Sequence, residues 1–309
     1  MRQPTTLTLH SRIRALVAAT AGALLALGLG ASASLGQTEG EAPSETSGIP
    51  ELTLGAVDYA FEWPESVPAG RTAITMDNAG QDLHHGYLVK LNDGVSAEDL
   101  VPLFDRLLGE DTAAFAELFS LVSLQGGAGI IVPGASQRLI LDLEPGTYVW
   151  FCGLPAADGE PHFAKGMITT FEVTANETGT APDEPDADGA LALQDFAFAL
   201  PGSIAPGEQL WKVSNEGQQP HEFLIAQLAP GATALDFAMA FGDPAATEPP
   251  PGLPVGGLGP VDPGSTSWLG LDLAPGTYAA FCLVPDPESG QPHLALGMVT
   301  EFTVEETTA

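Results

Sequence analysis

Cysteine is nearly absent from this sequence: Cys152 and Cys282 are the only two in 309 residues, so at most one intrachain disulfide can form. Basic side chains are scarce as well, nine Lys and Arg against 40 Asp and Glu, for a formal net charge of -31. A field of that sign repels nucleic acid and anionic lipid and attracts a basic partner. Beyond Gly30 no apolar run approaches the roughly 20 residues that span a bilayer. What is abundant is 36 Gly and 27 Pro in a chain that is 44% hydrophobic. Such a composition buries cores joined by many turns and excludes a disordered polyanion.

The first 36 residues are built differently from the rest. Arg2, Arg12 and Arg14 precede an apolar run from Ala15 to Gly30, and Ala31-Ser32-Ala33 follows. This order reads as a secretory signal peptide, which places the mature protein outside the cytoplasm, secreted or periplasmic. Cleavage after Ala33 removes those three Arg and no acid, taking the charge from -31 to -34. Residues 37–49 read as a linker.

An internal repeat organises the remainder. "NAGQDLHHGYLVKL" from Asn78 matches "NEGQQPHEFLIAQL" from Asn215, and "GGAGIIVPGASQRLILDLEPGTYVWFC" from Gly126 matches "GGLGPVDPGSTSWLGLDLAPGTYAAFC" from Gly256. The offset falls from 137 to 130 between the two blocks, so the second copy is seven residues shorter in one excursion. That excursion carries the helical signals: Ser96 and Asp99 form a capping box before "LVPLFDRLL", "DTAAFAELFSLV" follows, and "ATALDFAMAF" is the shorter counterpart. Elsewhere short apolar or alternating runs such as "TAITM", "GYLVKL", "RLILDL", "TYVWFC" and "MITTFEV" are broken by Pro and Gly, the pattern of an all-β sandwich or barrel. The domains are expected at 50–175 and 190–306, joined by a flexible acidic linker at 176–189.

Four of the six His fall at repeated positions, His84 with His221 and His162 with His293. Cys152 matches Cys282 and Met167 matches Met298, whereas His85 faces Glu222 in the comparison. Each of these residue types alone is ordinary core filling. Their joint recurrence in two diverged copies points to a metal. One thiolate, two imidazoles and a weak thioether suit copper cycling between Cu(I) and Cu(II), and the thioether favours copper over zinc. A metal also keeps each thiol out of disulfide exchange in an oxidising compartment.

"PGTYVWFC" and "PGTYAAFC" resemble the strand that leads to the ligand Cys in plastocyanin-type cupredoxins. "PHFAKGM" and "PHLALGM" are similar to the end of that ligand loop, and "LHHGYLVKL" and "PHEFLIAQL" to the strand that supplies the first His. The resemblance implies two tandem cupredoxin-like Greek-key β-sandwich domains, each with a short helical excursion and one type 1 copper. Carried over, the ligands are His84, Cys152, His162 and Met167 in the first domain, and His221, Cys282, His293 and Met298 in the second. His85 remains an alternative to His84. Nine and ten residues separate each Cys from its His, a loop longer than that of plastocyanins and similar to the blue-copper site of copper nitrite reductases.

The expected role is one-electron transfer by an exported monomer, with electrons passing through His162 beside Phe163 and Ala164 and through His293 beside Leu294 and Ala295. A basic redox protein is the expected partner, with no nucleic acid and no membrane. The alternatives are a copper-buffering protein with no redox partner and a metal-free binding module. Nitrite reductases and multicopper oxidases carry His directly before the ligand Cys, where this chain has Phe151 and Phe281. On that ground, and because only His85 is spare, the chain is expected not to be an enzyme.

Overall fold

The computed structural model describes residues 48–108, 111, 113–176, 182–242 and 248–306. The expected signal peptide at 1–36 and nearly all of the expected linker at 37–49 lie outside these residues. The first copy runs β1 (Glu51–Val57), β2 (Ala60–Glu62), β3 (Ser66–Pro68), β4 (Gly70–Asn78), β5 (His84–Leu91), α1 (Ala97–Leu108), α2 (Ala113–Leu121), β6 (Val122–Ile131), β7 (Ser136–Leu143), β8 (Gly146–Phe151), α3 (His162–Lys165) and β9 (Ile168–Thr174). The second runs β10 (Gly189–Gln194), β11 (Ala197–Ala199), β12 (Gly207–Asn215), β13 (His221–Leu228), α4 (Ala234–Gly242), β14 (Gly252–Val261), β15 (Thr266–Leu273), β16 (Gly276–Phe281), a 3-10 turn (His293–Leu296) and β17 (Val299–Val304).

Each copy folds into two facing sheets: along Ser136–Leu143 the side chains of Leu139, Leu141 and Leu143 turn into the main core while Ser136 and Asp142 stay exposed. Trp150, Tyr148 and Leu54 fill the first interior, and Trp211, Tyr278 and Phe223 the second. The repeated "PGTY" has a mechanical role: Tyr148 donates its hydroxyl to Glu144 O at 3.0 Å, and Tyr278 to Ala274 O at 2.7 Å. Each ring is thereby locked at the start of the strand that ends in Cys. The caps form as the sequence implies, with Ser96 Oγ donating to Asp99 Oδ2 at 2.8 Å and Thr233 Oγ1 to Asp236 Oδ2 at 2.7 Å.

The two copies share their sheets. One sheet has the order β11-β10-β12-β15-β7-β4-β1-β2 and the other β17-β16-β13-β14-β6-β5-β8-β9-β3. At the first junction Leu139 pairs with Leu269, and at the second Ala128 pairs with Leu258. Each pair occupies one repeat position, so the copies meet across a pseudo-two-fold axis, as in an isologous dimer held within one chain. The repeated "GGAG" and "GGLG" serve this contact: a Cβ on Gly129 would lie 2.7 Å from Gly256 C, and one on Gly259 2.6 Å from Gly126 O.

The described part of the expected flexible linker is anchored. Pro182 O accepts Arg71 Nη1 at 2.9 Å, and Glu184 Oε2 accepts Lys212 Nζ at 2.7 Å. Two of the six cations beyond residue 36 are held here, Arg71 by a backbone carbonyl and Lys212 by a carboxylate, which a reading from composition alone does not foresee. No described helix is long and apolar enough to cross a membrane.

Candidate metal centres

Two groups of metal-ligating side chains form among the described residues, His84 with Cys152 and His162, and His221 with Cys282 and His293; within each group the ligand atoms lie within 4.8 Å of one another. The fold assembles each from three places. The first His opens β5 or β13, the Cys follows the end of β8 or β16, and the second His starts the short helical turn. Backbone pairing closes the loop: Phe163 N donates to Cys152 O at 2.8 Å and Cys152 N to Met167 O at 3.1 Å, with Leu294 N and Cys282 N doing the same in the second copy. Met167 and Met298 are fully buried beside the Cys they pair with. Cys152 and Cys282 are both free thiols, so the disulfide left open by composition does not form.

The two imidazoles face each other through Nδ1, at 3.1 Å in both copies, and Cys Sγ lies 3.4 Å from His162 Nδ1 and 3.5 Å from His293 Nδ1. Three of the four opposite ring nitrogens are occupied, and the fourth, His162 Nε2, is buried with no hydrogen-bond partner. His84 Nε2 donates to Asp58 Oδ1 at 2.7 Å, His221 Nε2 to Asp195 Oδ1 at 3.0 Å and His293 Nε2 to Gln219 Oε1 at 2.9 Å. Gln219 is oriented by its own donation to Asp286 Oδ1 at 3.0 Å. With Nε2 protonated on both rings of the second site, both Nδ1 atoms present lone pairs to each other. A cation between them turns that repulsion into ligation, so the donor set fits a metal held by two imidazoles and a thiolate.

Electrostatics agree. Burial, and then the neighbouring His, depresses His162 and His293 to about 4, which keeps both neutral and ready to ligate. Burial raises Cys152 to about 12 and Cys282 well above its ordinary value, so neither is a thiolate until a metal arrives. Burial lifts the Asp58 and Asp195 carboxyls, but backbone N–H donors and the His each one holds bring both below the ordinary carboxylate range.

Sequence reasoning missed these two aspartates and the rings beside them. Asp58-Tyr59 and Asp195-Phe196 stand at one repeat position. Tyr59 packs against His162 at 4.6 Å between ring centroids, and Phe196 against His293 at 5.2 Å. The signal was present in the repeated "DYAF" and "DFAF". Gly80 and Gly217 make room for the contact, since a Cβ there would lie 2.7 Å from His84 Nε2 or His221 Nε2.

Three points bear on the expectations. His85 is outside its group: its Nε2 accepts Gly153 N at 3.0 Å, while Glu222 at the matching position accepts Leu283 N at 2.6 Å. The ligand histidines are not at the surface either, with His162 1% and His293 0% exposed. In the first copy Phe163 packs on Phe104 of α1 at 4.7 Å, so the longer helical excursion covers the rim; in the second, Ala295 and Leu296 stay exposed. The third concerns catalysis and follows from the comparisons.

No protein-family model matches this chain, and no curated protein sequence does either. Several solved structures are similar at low TM-scores. An auracyanin from Roseiflexus castenholzii is 19% identical at a TM-score of 0.28, over 40% of this chain and 96% of that one. A multicopper oxidase is 17% identical at 0.22, over 83% and 89%. The copper nitrite reductase of Nitrosomonas europaea is 13% identical at 0.24, over 83% and 94%. By its own topology the chain is a tandem of two-sheet β-sandwich copies, each with one His–Cys–His group that could hold a metal ion. The expectation that it is not an enzyme does not stand, because the structures matched across both domains are an oxidase and reductases. The missing His before each Cys speaks only to one way of wiring a blue copper to a catalytic one.

Proposed function

We propose that this tandem cupredoxin-like chain is an exported copper protein that holds one ion per domain and serves one-electron transfer. His84, Cys152 and His162, with Met167 as weak axial ligand, would hold the first; His221, Cys282 and His293, with Met298, the second. The observation that carries the reading is the pair of His Nδ1 atoms 3.1 Å apart beside a buried cysteine, formed twice. Copper supplies one-electron cycling between Cu(I) and Cu(II) in such a set.

The protein's own contribution is rigidity and dryness. Asp58 and Asp195 fix the tautomer and tilt of the first His, Gln219 does so for His293, and the β8 and β16 strands hold each Cys in a water-free interior. Ligands that do not move between oxidation states keep the reorganisation accompanying electron transfer small.

The six cations beyond the signal segment are all paired with carboxylates: Arg71 with Asp142, Lys90 with Glu144, Arg106 with Asp111, Arg138 with Glu51, Lys165 with Asp158 and Lys212 with Glu184. The uncompensated surface charge is therefore acidic, which supports a basic redox partner docking on a monomer. A second reading, copper retention without a redox partner, is favoured by the burial of both ligand histidines.

The test is the visible spectrum after adding Cu(II) to the chain from Gln37 onward, with metal analysis. An intense thiolate-to-copper band at two coppers per chain, halved by Cys152→Ser or Cys282→Ser, supports the site assignment. No band and no retained copper would overturn it. Slow electron exchange by the loaded protein with every small redox reagent would favour retention over transfer.

A further inference from the structure

The pseudo-two-fold that relates the copies is broken at the interface itself. His85 and Tyr87 on β5 correspond to Glu222 and Leu224 on β13. His85 Nε2 accepts the amide of Gly153, the residue after Cys152. The His85 ring stacks on Tyr87, with centroids 3.6 Å apart and planes 23° from parallel. Tyr87 donates its hydroxyl across the interface to Glu222 Oε2 at 2.5 Å. Glu222 Oε1 in turn accepts the amide of Leu283, the residue after Cys282, at 2.6 Å.

We propose that His85, Tyr87 and Glu222 form an electron-transfer bridge that couples the two metal centres within one chain. This rests on the proposed copper sites. Starting from either thiolate sulfur, the path runs along covalent bonds to the next amide, through a hydrogen bond to the bridge, and across to the other amide. Its one gap without a bond or hydrogen bond is the His85–Tyr87 stack. The transfer is balanced without a proton: Cu(I) in one domain becomes Cu(II), Cu(II) in the other becomes Cu(I), and the Tyr87 hydroxyl keeps its proton.

Two further observations favour a route over a merely structural contact. The first site is shut off from the surface, its Phe163 and Ala164 buried under α1, whereas Ala295 and Leu296 leave the second rim open. An electron that enters at the open site reaches the closed one only through the interior. Space for the bridge is also made from the far side, because a Cβ on Gly259 of the second domain would lie 2.8 Å from Tyr87 Cδ1.

The experiment uses the full copper-loaded chain from Gln37 onward and a photogenerated one-electron organic radical as reductant, supplied below one equivalent. The amide behind each Cys has a different acceptor, His85 or Glu222, so the spectrum of each site is taken separately from the Cys152→Ser and Cys282→Ser chains. After bimolecular reduction, the wild type should show a phase independent of protein concentration in which the electron redistributes between sites. Tyr87→Phe, which keeps the ring and its stack, should lose that phase from the same time window while both thiolate-to-copper bands and both electron paramagnetic resonance signals stay as they were. Glu222→Gln, whose carbonyl oxygen can still accept Leu283 N while its NH2 donates to the Tyr87 hydroxyl oxygen with the bond reversed, should retain it. A redistribution phase unchanged by Tyr87→Phe, or absent from a wild type with both bands present, overturns the bridge alone; absence of the bands themselves overturns the copper reading.

Discussion

His221 and His293 point the same ring nitrogen, Nδ1, at each other across 3.1 Å, and each has its Nε2 held by a different acceptor, Asp195 and Gln219. The orientation of both rings is thus decided outside the metal group. Losing one acceptor should loosen the ligand without removing it. Asp195→Ala is expected to weaken copper binding at the second site by about 10–100-fold while the first site keeps its affinity. Competition against a Cu(I) chelator, carried out on the Cys152→Ser chain and then on the Cys282→Ser chain, resolves the two. Equal affinity with and without the Asp195 carboxylate would mean that packing alone orients His221.

Metal uptake should also release protons in a countable way. Burial raises Cys152 to about 12 and Cys282 well above the usual thiol range, whereas His162 and His293, depressed to about 4, carry no proton to release at pH 7.5. Each copper therefore displaces about one proton, from sulfur. Calorimetric titration with Cu(II) in buffers of different ionisation enthalpy should give about two protons per chain, falling to about one in either Cys→Ser variant. A count near zero would place the metal somewhere other than on the thiols.

The ligand sets were legible because each is compact in sequence: Cys152 to Met167 is one loop, and the repeat supplied a second copy against which scarce residues stood out. Strands were legible for the same local reason, from alternation between Pro and Gly. Asp58 was harder to see, since it lies 26 residues before His84 and meets it only once the β1–β2 corner folds against the loop after β4. The Tyr87–Glu222 contact was invisible, because comparing repeats reveals what is shared and this pair is what differs. The shared sheets were hidden too: residue patterns show which face of a strand is apolar and say little about which edge it offers to a neighbour.

The metal-free protein should be acid-labile with a definite slope. Burial depresses His85 to about 3 and His162 and His293 to about 4, and it lowers His221 as well. The unfolded chain then binds protons below pH 6.5 that the folded chain refuses, so stability falls on acidification by about 1.4 kcal/mol per pH unit for each His. Glu222 acts in the opposite sense. Burial raises it to about 7, so the folded chain holds a proton that the unfolded chain gives up above 4.5, and stability falls as pH rises through that window. Histidine outnumbers it, which puts the maximum near neutrality with a steep loss below pH 6. Urea midpoints from pH 4.5 to 8 should show this in the wild type, and Glu222→Gln should steepen the acid side by about one proton. A flat profile in the wild type would place water at these histidines.

Interface glycines give a test of how tightly the two copies are joined. A Cβ on Gly129 would meet Gly256 C and Gly257 N at 2.7 Å, and both are backbone atoms that cannot turn aside. Gly129→Ala must therefore push β6 and β14 apart, at a cost of about 1–3 kcal/mol typical of overpacking. Gly134, in the turn before β7, meets nothing within 4 Å but has φ +80°, so Gly134→Ala reports backbone strain without crowding. Comparing the two in urea separates the terms, since only Gly129→Ala displaces the junction that carries Tyr87 towards Glu222. Equal loss in both would show that the interface yields readily and that strand-to-strand contact at Ala128 and Leu258 contributes little.

Charge should govern which reagents the protein exchanges electrons with. All six cations beyond residue 36 are paired, so the remaining carboxylates set the sign of the field at every approach. At 0.01 M ionic strength that field reaches about 30 Å, and at 0.1 M about 10 Å. Reduction of the copper-loaded chain by a cationic metal complex should therefore slow as salt is raised across that range, while reduction by an anionic complex of similar potential should speed up. Stopped-flow rates at matched driving force give both slopes. If the two reagents respond alike, the acidity serves solubility, and the basic-partner reading loses its physical support.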